Sequence, residues 1–553
     1  MYRRFTRASM LFVSLCGCTQ KVDVTTEEDS DRHPTLEDCP LVKTDVIPYT
    51  VSVNGEKLHV KRMGHFDVPV NFVRMDIREG MEIEIAANET IDSFVLSPKK
   101  WEIDATHKKD TITFAIDEPK YLILQPHSID KKMENLILLV DPAENNAPDP
   151  SARNIVNIMD FDDIDPCGES LMTDRIQHAI DSLEGTRKTL YFPAGTYLTG
   201  ELWMRSGMRL YLSDGAVLKA SSKLDDIVTE EKTGSTIEEC LHALIRMYDV
   251  TDSHIGGRGV IDANGAFHRD EEQPRTKYNL LKIEESSNCS VDGIVALDSS
   301  FWSTVVYRSD DIHLTNYKVI NNWKNIGWNE TDGVDFDNSS NSSLSNAFLY
   351  VGDDCMATKS DDIPDGYAPL KDGVYIDPTQ SSDYIAVDQI LHEDVVCFTN
   401  QSACKIGTKT MGGTMKDVVF KNIDVVNCGR GMVIDNMDTA TVRDIRFENI
   451  EFEFFGPFDA VNFIINEGTT WRDSEGLGTI EDISIDHIVL KDFEGLKPLF
   501  LIEGRVDKST GKSMMVEGIA LSDVFLEGVH VVEDNRDDLI RLILKEADDI
   551  QFD

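Results

Sequence analysis

Beyond residue 190 the chain repeats one short pattern: an apolar residue, any residue, Asn or Asp, then an apolar residue, any residue and an apolar residue. It reads "LTNYKVI", "LSNAFLY", "FKNIDVV", "FENIEFE" and "LSDVFLE", with the Asn or Asp at 316, 346, 422, 449 and 523. The intervals of 30 (316 to 346) and 27 (422 to 449) suit one coil of a parallel β-helix, and the wider gaps then hold further coils or long loops. Each coil buries its inward residues only against the coils above and below. In "DRIQHAIDSL" Ile176, Ala179, Ile180 and Leu183 form one apolar helical stripe, which predicts a helix capping the first coil. Residues 43–142 alternate over shorter runs. "YTVSVNGEKLHVKR" predicts a hairpin turning at Asn54-Gly55, and "MEIEIAA", "DSFVLS", "TITFAI" and "LILLV" complete a small N-terminal β-sandwich. The Pro- and Asn-rich residues 141–154 link the two. The predicted class is all-β, a parallel β-helix (143–553) behind a sandwich (43–142). A multi-strand sandwich throughout is disfavoured, because hairpin signals are rare after residue 190.

Charge narrows the partners. The 553 residues hold 54 Lys and Arg against 99 Asp and Glu, a net charge of −45. Such a surface repels nucleic acid and anionic membrane, so neither is expected to bind. With 41% hydrophobic residues the chain is not of disordered type. Residues 1–18 read as a signal peptide, with Arg3, Arg4 and Arg7 ahead of the short apolar run "ASMLFVSL". "LCGC" resembles a bacterial lipobox, which would make Cys18 the acylated N-terminus; an ordinary secretory cleavage site is the alternative. Either predicts export. The first predicts an outer-membrane lipoprotein, at the cell surface or in the periplasm, touching membrane only through its lipid. Acidic residues 19–42 would be the tether. The other cysteines, at 39, 167, 240, 289, 355, 397, 404 and 428, show no zinc spacing. They read as small buried hydrophobes, with one or two disulfides permitted but not paired by the sequence.

"NETDGVDF" (329–336) and "VGDDCMATKS" (351–360) gather Asp332, Asp335, Asp337, Asp353 and Asp354. Asp332 and Asp353 are 21 residues apart, close to one coil, so they fall on neighbouring coils about 4.8 Å apart. Asp353 and Asp354 would point to opposite sides of a straight strand, and both serve one site only if the chain bends near Gly352. Carboxyls so crowded split roles: one keeps its proton while others stay ionised, the combination that glycosidic cleavage requires. Turn caps or a structural Ca²⁺ would also account for the cluster.

Three further stretches bear on that choice. "LYFPAGTYLTGELWMRSGMRLYLSDGAVLKAS" (190–221), "SSFWSTVV" and the "NETDGVDF…GDDCMATKS" core, in this order and spacing, resemble the polygalacturonase-like glycoside hydrolases of family 28. The resemblance runs from about residue 153 to about 450. A sandwich ahead of the helix also resembles the layout of the dextranase and isopullulanase family, family 49. The resemblance implies a right-handed, single-stranded parallel β-helix and inverting hydrolysis without metal or cofactor. It implies Asp353 as general acid, and Asp332 and Asp354 as the groups that hold and deprotonate the attacking water. Cys355 and Lys359 match the motif and are read as structural.

The chain also departs from that family. Ser402 stands where its histidine is expected, Val433 and Asp435 where its arginine and lysine are expected, and Glu330 where an asparagine precedes the threonine. Without the basic pair a uronate carboxylate loses its charge-assisted hydrogen bonds. Lys405, Lys409 and Arg430 lie close by, either restoring an anion site or standing as solvated surface cations. Trp302, Trp323 and Trp328 flank the acids and are candidates for stacking on sugar rings. Glu330, Trp302, Lys405, Lys409, Arg430 and Asp435 are thus the candidate substrate-binding residues. The expected activity is hydrolysis of α-glycosidic bonds in a polysaccharide or oligosaccharide other than unmodified polygalacturonate. Two alternatives remain: a lyase with Ca²⁺ and Lys405 or Arg430 as base, and a non-catalytic glycan-binding lipoprotein. The lipobox reading has its own test: Cys18→Ala should release the protein from membranes, and mass spectrometry should find an acylated Cys18 at the mature N-terminus.

Overall fold

The computed structural model describes residues 46–553 except 130, 228–241, 269–276, 323–329, 362–369, 372–373, 376–386, 412, 454–458, 468–475, 492 and 494. The signal peptide, the tether, Cys18, Trp323 and Trp328 lie outside the described residues.

Two sheets form from the alternating N-terminal segment. Tyr49–Val53 pairs antiparallel with Glu56–Leu58, turning at Asn54 and Gly55, both at positive φ (50° and 83°). It also pairs with Met81–Ala87, which continues the sheet to Thr111–Ile116. The second sheet runs Lys120–Ser128, Asn135–Asp141, Val70–Asp76 and Lys61–Met63. Its central strand "NLILLVD" is buried at every position, because both faces are covered. Leu136, Leu138 and Val140 pack into the sandwich core. Ile137 and Leu139 face the other way, onto Val295, Leu297, Ile320, Phe348 and Tyr350 of the long helical domain.

A buried charge cluster pins that contact. Asp141 accepts from Arg74 Nε (2.6 Å), Lys318 Nζ (2.8 Å) and the Tyr121 hydroxyl (2.9 Å). Lys318 also donates to the Gly293 carbonyl at 3.0 Å. Burial and the Arg74 charge push Lys318 down to about 7. Burial works to raise Asp141, but the Lys318 and Arg74 charges outweigh it and lower its pKa.

The rest is a right-handed parallel β-helix. Its strands stack into two long, predominantly parallel sheets, of nineteen and eleven strands among the described residues. The recurring Asn or Asp is the corner of each coil. Asn316, Asn346, Asn422, Asn449 and Asp523 all have φ between 47° and 55°, the left-handed region that Asn and Asp tolerate best. At each corner the strand changes direction, so the apolar residues on both sides face inward. The corner side chains hydrogen-bond from coil to coil: Asn316 to Asp292 (2.7 Å), Asn346 to Asn316 (2.5 Å), Asn422 to Asp394 (2.9 Å) and Asn449 to Asn422 (2.8 Å). The wide gaps in the repeat each hold one further coil. Strand register aligns Asp394 between Asn346 and Asn422, and His487 between Asn449 and Asp523, with φ of 56° and 54°.

The helix Thr173–Asp181 buries Ile176, Ala179 and Ile180 in the same core as the first coils. Its Gln177 exchanges hydrogen bonds with the Trp203 backbone, at 2.9 and 2.8 Å.

Asp141 compensates the buried Lys318 and the part-buried Arg74, so Asp141→Asn removes the carboxylate partner of both. Losing one partner of a buried pair costs about 3–5 kcal/mol. Denaturant unfolding of Asp141→Asn should show a loss of that order.

Candidate active site

Five neighbouring strands of the eleven-stranded sheet carry the site: Thr304–Tyr307, Val334–Asp337, Met356–Ser360, Ser402–Thr410 and Arg430–Asn436. Val334, Met356, Cys404 and Met432 share one register position and point into the core. The neighbouring position, Asp335–Ala357–Lys405–Val433, therefore faces outward, as does the Asp337–Lys359 pair. Extending the register back sets Asp332 beside Asp354 on the next coil. Gly333 permits this approach, because a Cβ there would lie 2.4 Å from the Cys355 carbonyl oxygen.

The chain bends at Gly352 and Asp353, so both adjacent carboxyls reach one cavity of about 420 Å³. Asp353 Oδ1 accepts from the Asp354 amide (2.9 Å) and Oδ2 from the Glu330 amide (3.2 Å), while Thr399 Oγ1 donates to the Asp353 carbonyl. Cys355, directly after the pair, forms a disulfide with Cys397 of the Asp388–Phe398 strand. Structure thus supplies a pairing that sequence left open.

Every described candidate lines this cavity: Trp302, Glu330, Asp332, Asp353, Asp354, Lys405, Lys409, Arg430 and Asp435. Lys359, read from the motif as structural, lines it too. Its ammonium bridges Asp332 Oδ2 (3.1 Å) and Asp335 Oδ1 (2.5 Å) and lies 3.3 Å from the Trp302 ring centroid. The outward period-2 position was a signal for it in the sequence, once the strand was located. Gln401, Thr408 and Met437 complete the wall, and nothing in the motif marked them. Asp335 and Asp337 do not line the cavity; Asp335 holds Lys359 from behind.

The basic residues are not solvated surface cations either. Lys405 and Lys409 are buried. Lys405 Nζ lies 2.5 Å from Asp354 Oδ2 and Arg430 Nη2 lies 3.9 Å from Oδ1, which also accepts from the Ser402 amide at 3.1 Å. Lys409 Nζ is 3.9 Å from Asp361, and Glu330 is paired with Lys277 at 2.5 Å.

These contacts separate the carboxyls. Burial and the Asp354 charge push Asp353 up to about 7. Burial would raise Asp354 as well, but Lys405 and Arg430 override it and hold Asp354 well below the usual carboxylate range. Asp332 and Asp335 share the single cation Lys359, and burial pushes both upward. Burial works to lower Lys359, but Asp335 and Asp332 outweigh it and keep its charge. Burial also raises Asp435, whose Oδ1 has no hydrogen-bond partner among the described residues.

Residues 185–454 match the model of glycosyl hydrolases family 28. Over 288 residues the chain is 26% identical to a probable polygalacturonase of Vitis vinifera, covering 46% of this chain and 58% of that protein. Over 237 residues it is 27% identical to an exo-poly-alpha-D-galacturonosidase of Dickeya chrysanthemi, covering 34% of this chain and 39% of that protein. The chain thus spans less than two thirds of the length of these relatives. In fold it is similar to the family 28 exopolygalacturonase of Yersinia enterocolitica (TM-score 0.54, 15% identity, 90% of this chain and 99% of that one). It is also similar to Dex49A from Penicillium minioluteum (TM-score 0.51, 10% identity, 90% and 92%). Across residues 185–454, which hold every residue of this cavity, the chain resembles the polygalacturonase-like glycosyl hydrolases of family 28.

Proposed function

We propose that the protein is a glycoside hydrolase that cleaves α-glycosidic bonds of a polysaccharide or oligosaccharide with inversion. The observation that carries this reading is two adjacent carboxyls in one cavity, Asp353 held by backbone amides and Asp354 paired with Lys405 and Arg430. Asp353, protonated up to about pH 7, is the general acid. It gives its proton to the leaving oxygen as the glycosidic bond breaks. Asp354, kept ionised by Lys405 and Arg430, is the base that takes a proton from the attacking water. Asp332, on the neighbouring coil beside Lys359, orients that water. One water adds, one proton enters from Asp353 and one leaves to Asp354, so the sugar gains the elements of water with no covalent intermediate.

The substrate reading departs from what the relatives are named for. Lys359, Lys405, Lys409 and Arg430 each have a carboxylate of the protein within 3.9 Å, and Asp435 adds a further buried carboxyl. A uronate carboxylate would have to compete for cations already paired. Unmodified polygalacturonate is therefore read as a poor substrate. A lyase is disfavoured by the same pairing, since Lys405 as a base would first have to give its proton away beside Asp354. In this reading the enzyme works outside the cytoplasm, held to a membrane through Cys18.

A reducing-end assay across dextran-type glucans, galactans and modified pectins should reveal a substrate. Polygalacturonate should be slower by about 10–100-fold, the worth of one charge-assisted hydrogen bond. Product absorbing in the ultraviolet would instead identify a lyase, and proton NMR of the first hydrolysis product should show the inverted anomer.

The acid role sets the pH dependence. Because Asp353 must be protonated, kcat/KM should fall as pH rises through about 7. Asp353→Asn should lose about 10²–10⁴-fold, and its residual rate should no longer follow that limb. Near-wild-type turnover by Asp353→Asn would overturn the assignment.

A further inference from the structure

A second cavity, of about 430 Å³, lies over the other sheet of the β-helix and shares no residue with the first. Its floor comes from three successive strands, Arg209–Leu212, His254–Gly257 and Ser287–Asp292. Its roof is the segment 142–148 between sandwich and helix.

Strand register explains why there is a hollow. Tyr191, Tyr211, Gly256 and Asp292 occupy one ladder position on four consecutive coils. Tyr191 and Tyr211 stack, with ring centroids 5.6 Å apart and planes at 11°. The third member of the ladder is glycine, so the stack stops and the far side of the Tyr211 ring borders the cavity. Tyr211 lines the cavity and Tyr191 does not. A Cβ on Gly256 would meet only the Asp292 carbonyl oxygen, at 3.7 Å, and its φ requires no glycine. The missing layer is thus an open slot one coil deep, between an aromatic face and a carboxylate two strand spacings, or about 9.6 Å, away.

The walls are held in place. Tyr211 donates its hydroxyl to Glu144 at 2.8 Å, and Arg258 donates to Asp76 at 3.0 Å and to the Pro142 carbonyl at 2.7 Å. Asp292 accepts from Asn316 at 2.7 Å, and His254 Nδ1 is 2.8 Å from Ser290 Oγ. Burial and Arg209 push His254 down, which keeps the imidazole neutral. Arg209 and Arg258 are matched in number by Glu144 and Asp292, so the lining carries no net charge. An aromatic face beside planar, hydrogen-bonding side chains suits a pyranose, which presents C–H groups on its faces and hydroxyls on its rim.

We propose that this slot is a second, non-catalytic binding site for a neutral sugar residue, seated on Tyr211 in the layer that Gly256 leaves empty. Its role is to hold a glycan chain on the enzyme away from the catalytic cavity, and it stands whether or not the catalytic reading does.

The test uses the full-length protein carrying Asp353→Asn, to suppress turnover, with Gly256→Phe added to fill the slot with a ring. Calorimetry and saturation-transfer NMR are run with isomaltotriose, maltotriose, α-1,4-galactotriose and trigalacturonate. At least one neutral trisaccharide should bind at a site that Gly256→Phe weakens at least tenfold, while trigalacturonate should not occupy that site. Tyr211→Phe, which keeps the ring, should retain binding. On a protein with Asp353 intact, Gly256→Phe should leave turnover of a short substrate unchanged, so a loss there would point to misfolding rather than to the slot. Circular dichroism and the unfolding midpoint of each variant check the same point. The proposal is overturned if no neutral probe binds, or if binding of every probe is indifferent to Gly256→Phe in a folded protein.

Discussion

The in-register stacking of coils, one parallel strand spacing apart, is the constraint on which the rest depends. Backbone hydrogen bonds between coils fix the side chain at each ladder position above its counterpart, so like positions meet like. In the core this gives columns of Val, Ile, Leu and Phe. At the corners it gives Asn and Asp side chains bonded to one another. On the outside it forces Asp332 beside Asp354, an arrangement costly in isolation that Lys359 and Lys405, on neighbouring strands of the same sheet, offset by pairing with the two acids.

Charge in the cavity is accordingly a matter of internal pairing. Lys405 and Arg430 set the state of Asp354, and Lys359 ties Asp332 to Asp335. Of the neighbouring acids Asp332, Asp353 and Asp354, Asp353 alone has no cation in an ion pair among those described; its hydrogen bonds come from backbone amides. That asymmetry, rather than the number of acids, separates the two adjacent carboxyls in their electrostatics. It also leaves little unopposed positive charge with which to meet an anionic sugar.

Much of this was legible in the chain. The corner pattern was readable at Asn316, Asn346, Asn422, Asn449 and Asp523 because apolar residues frame each one. Asp394 and His487 escaped: "HED" hides the first among charges, and histidine is an uncommon corner residue, although both adopt the same positive φ. The acids were legible through their spacing and through resemblance. Lys359 was legible as a motif match but not as a wall of the cavity, because that depends on which face of a strand it occupies and on a partner 24 residues earlier. Burial of Lys405 and Lys409 and the pairing of Cys355 with Cys397 are properties of neighbouring coils, which local sequence does not encode.

The strand Asn135–Asp141 belongs to two cores at once, and this bears on how the molecule can be divided. The matched stretch beginning at residue 185 invites excision as a self-sufficient module. Such a fragment would bare Val295, Leu297, Ile320, Phe348, Tyr350, Val396 and Phe398, a contiguous apolar wall, with the Lys318 ammonium stranded beside it. Its edge would offer other molecules a sticky surface, a route to aggregation rather than to a smaller enzyme. The sandwich therefore shields the apolar wall of the coils it covers. Transplanting either half onto another scaffold would require redesigning both sides of this seam together.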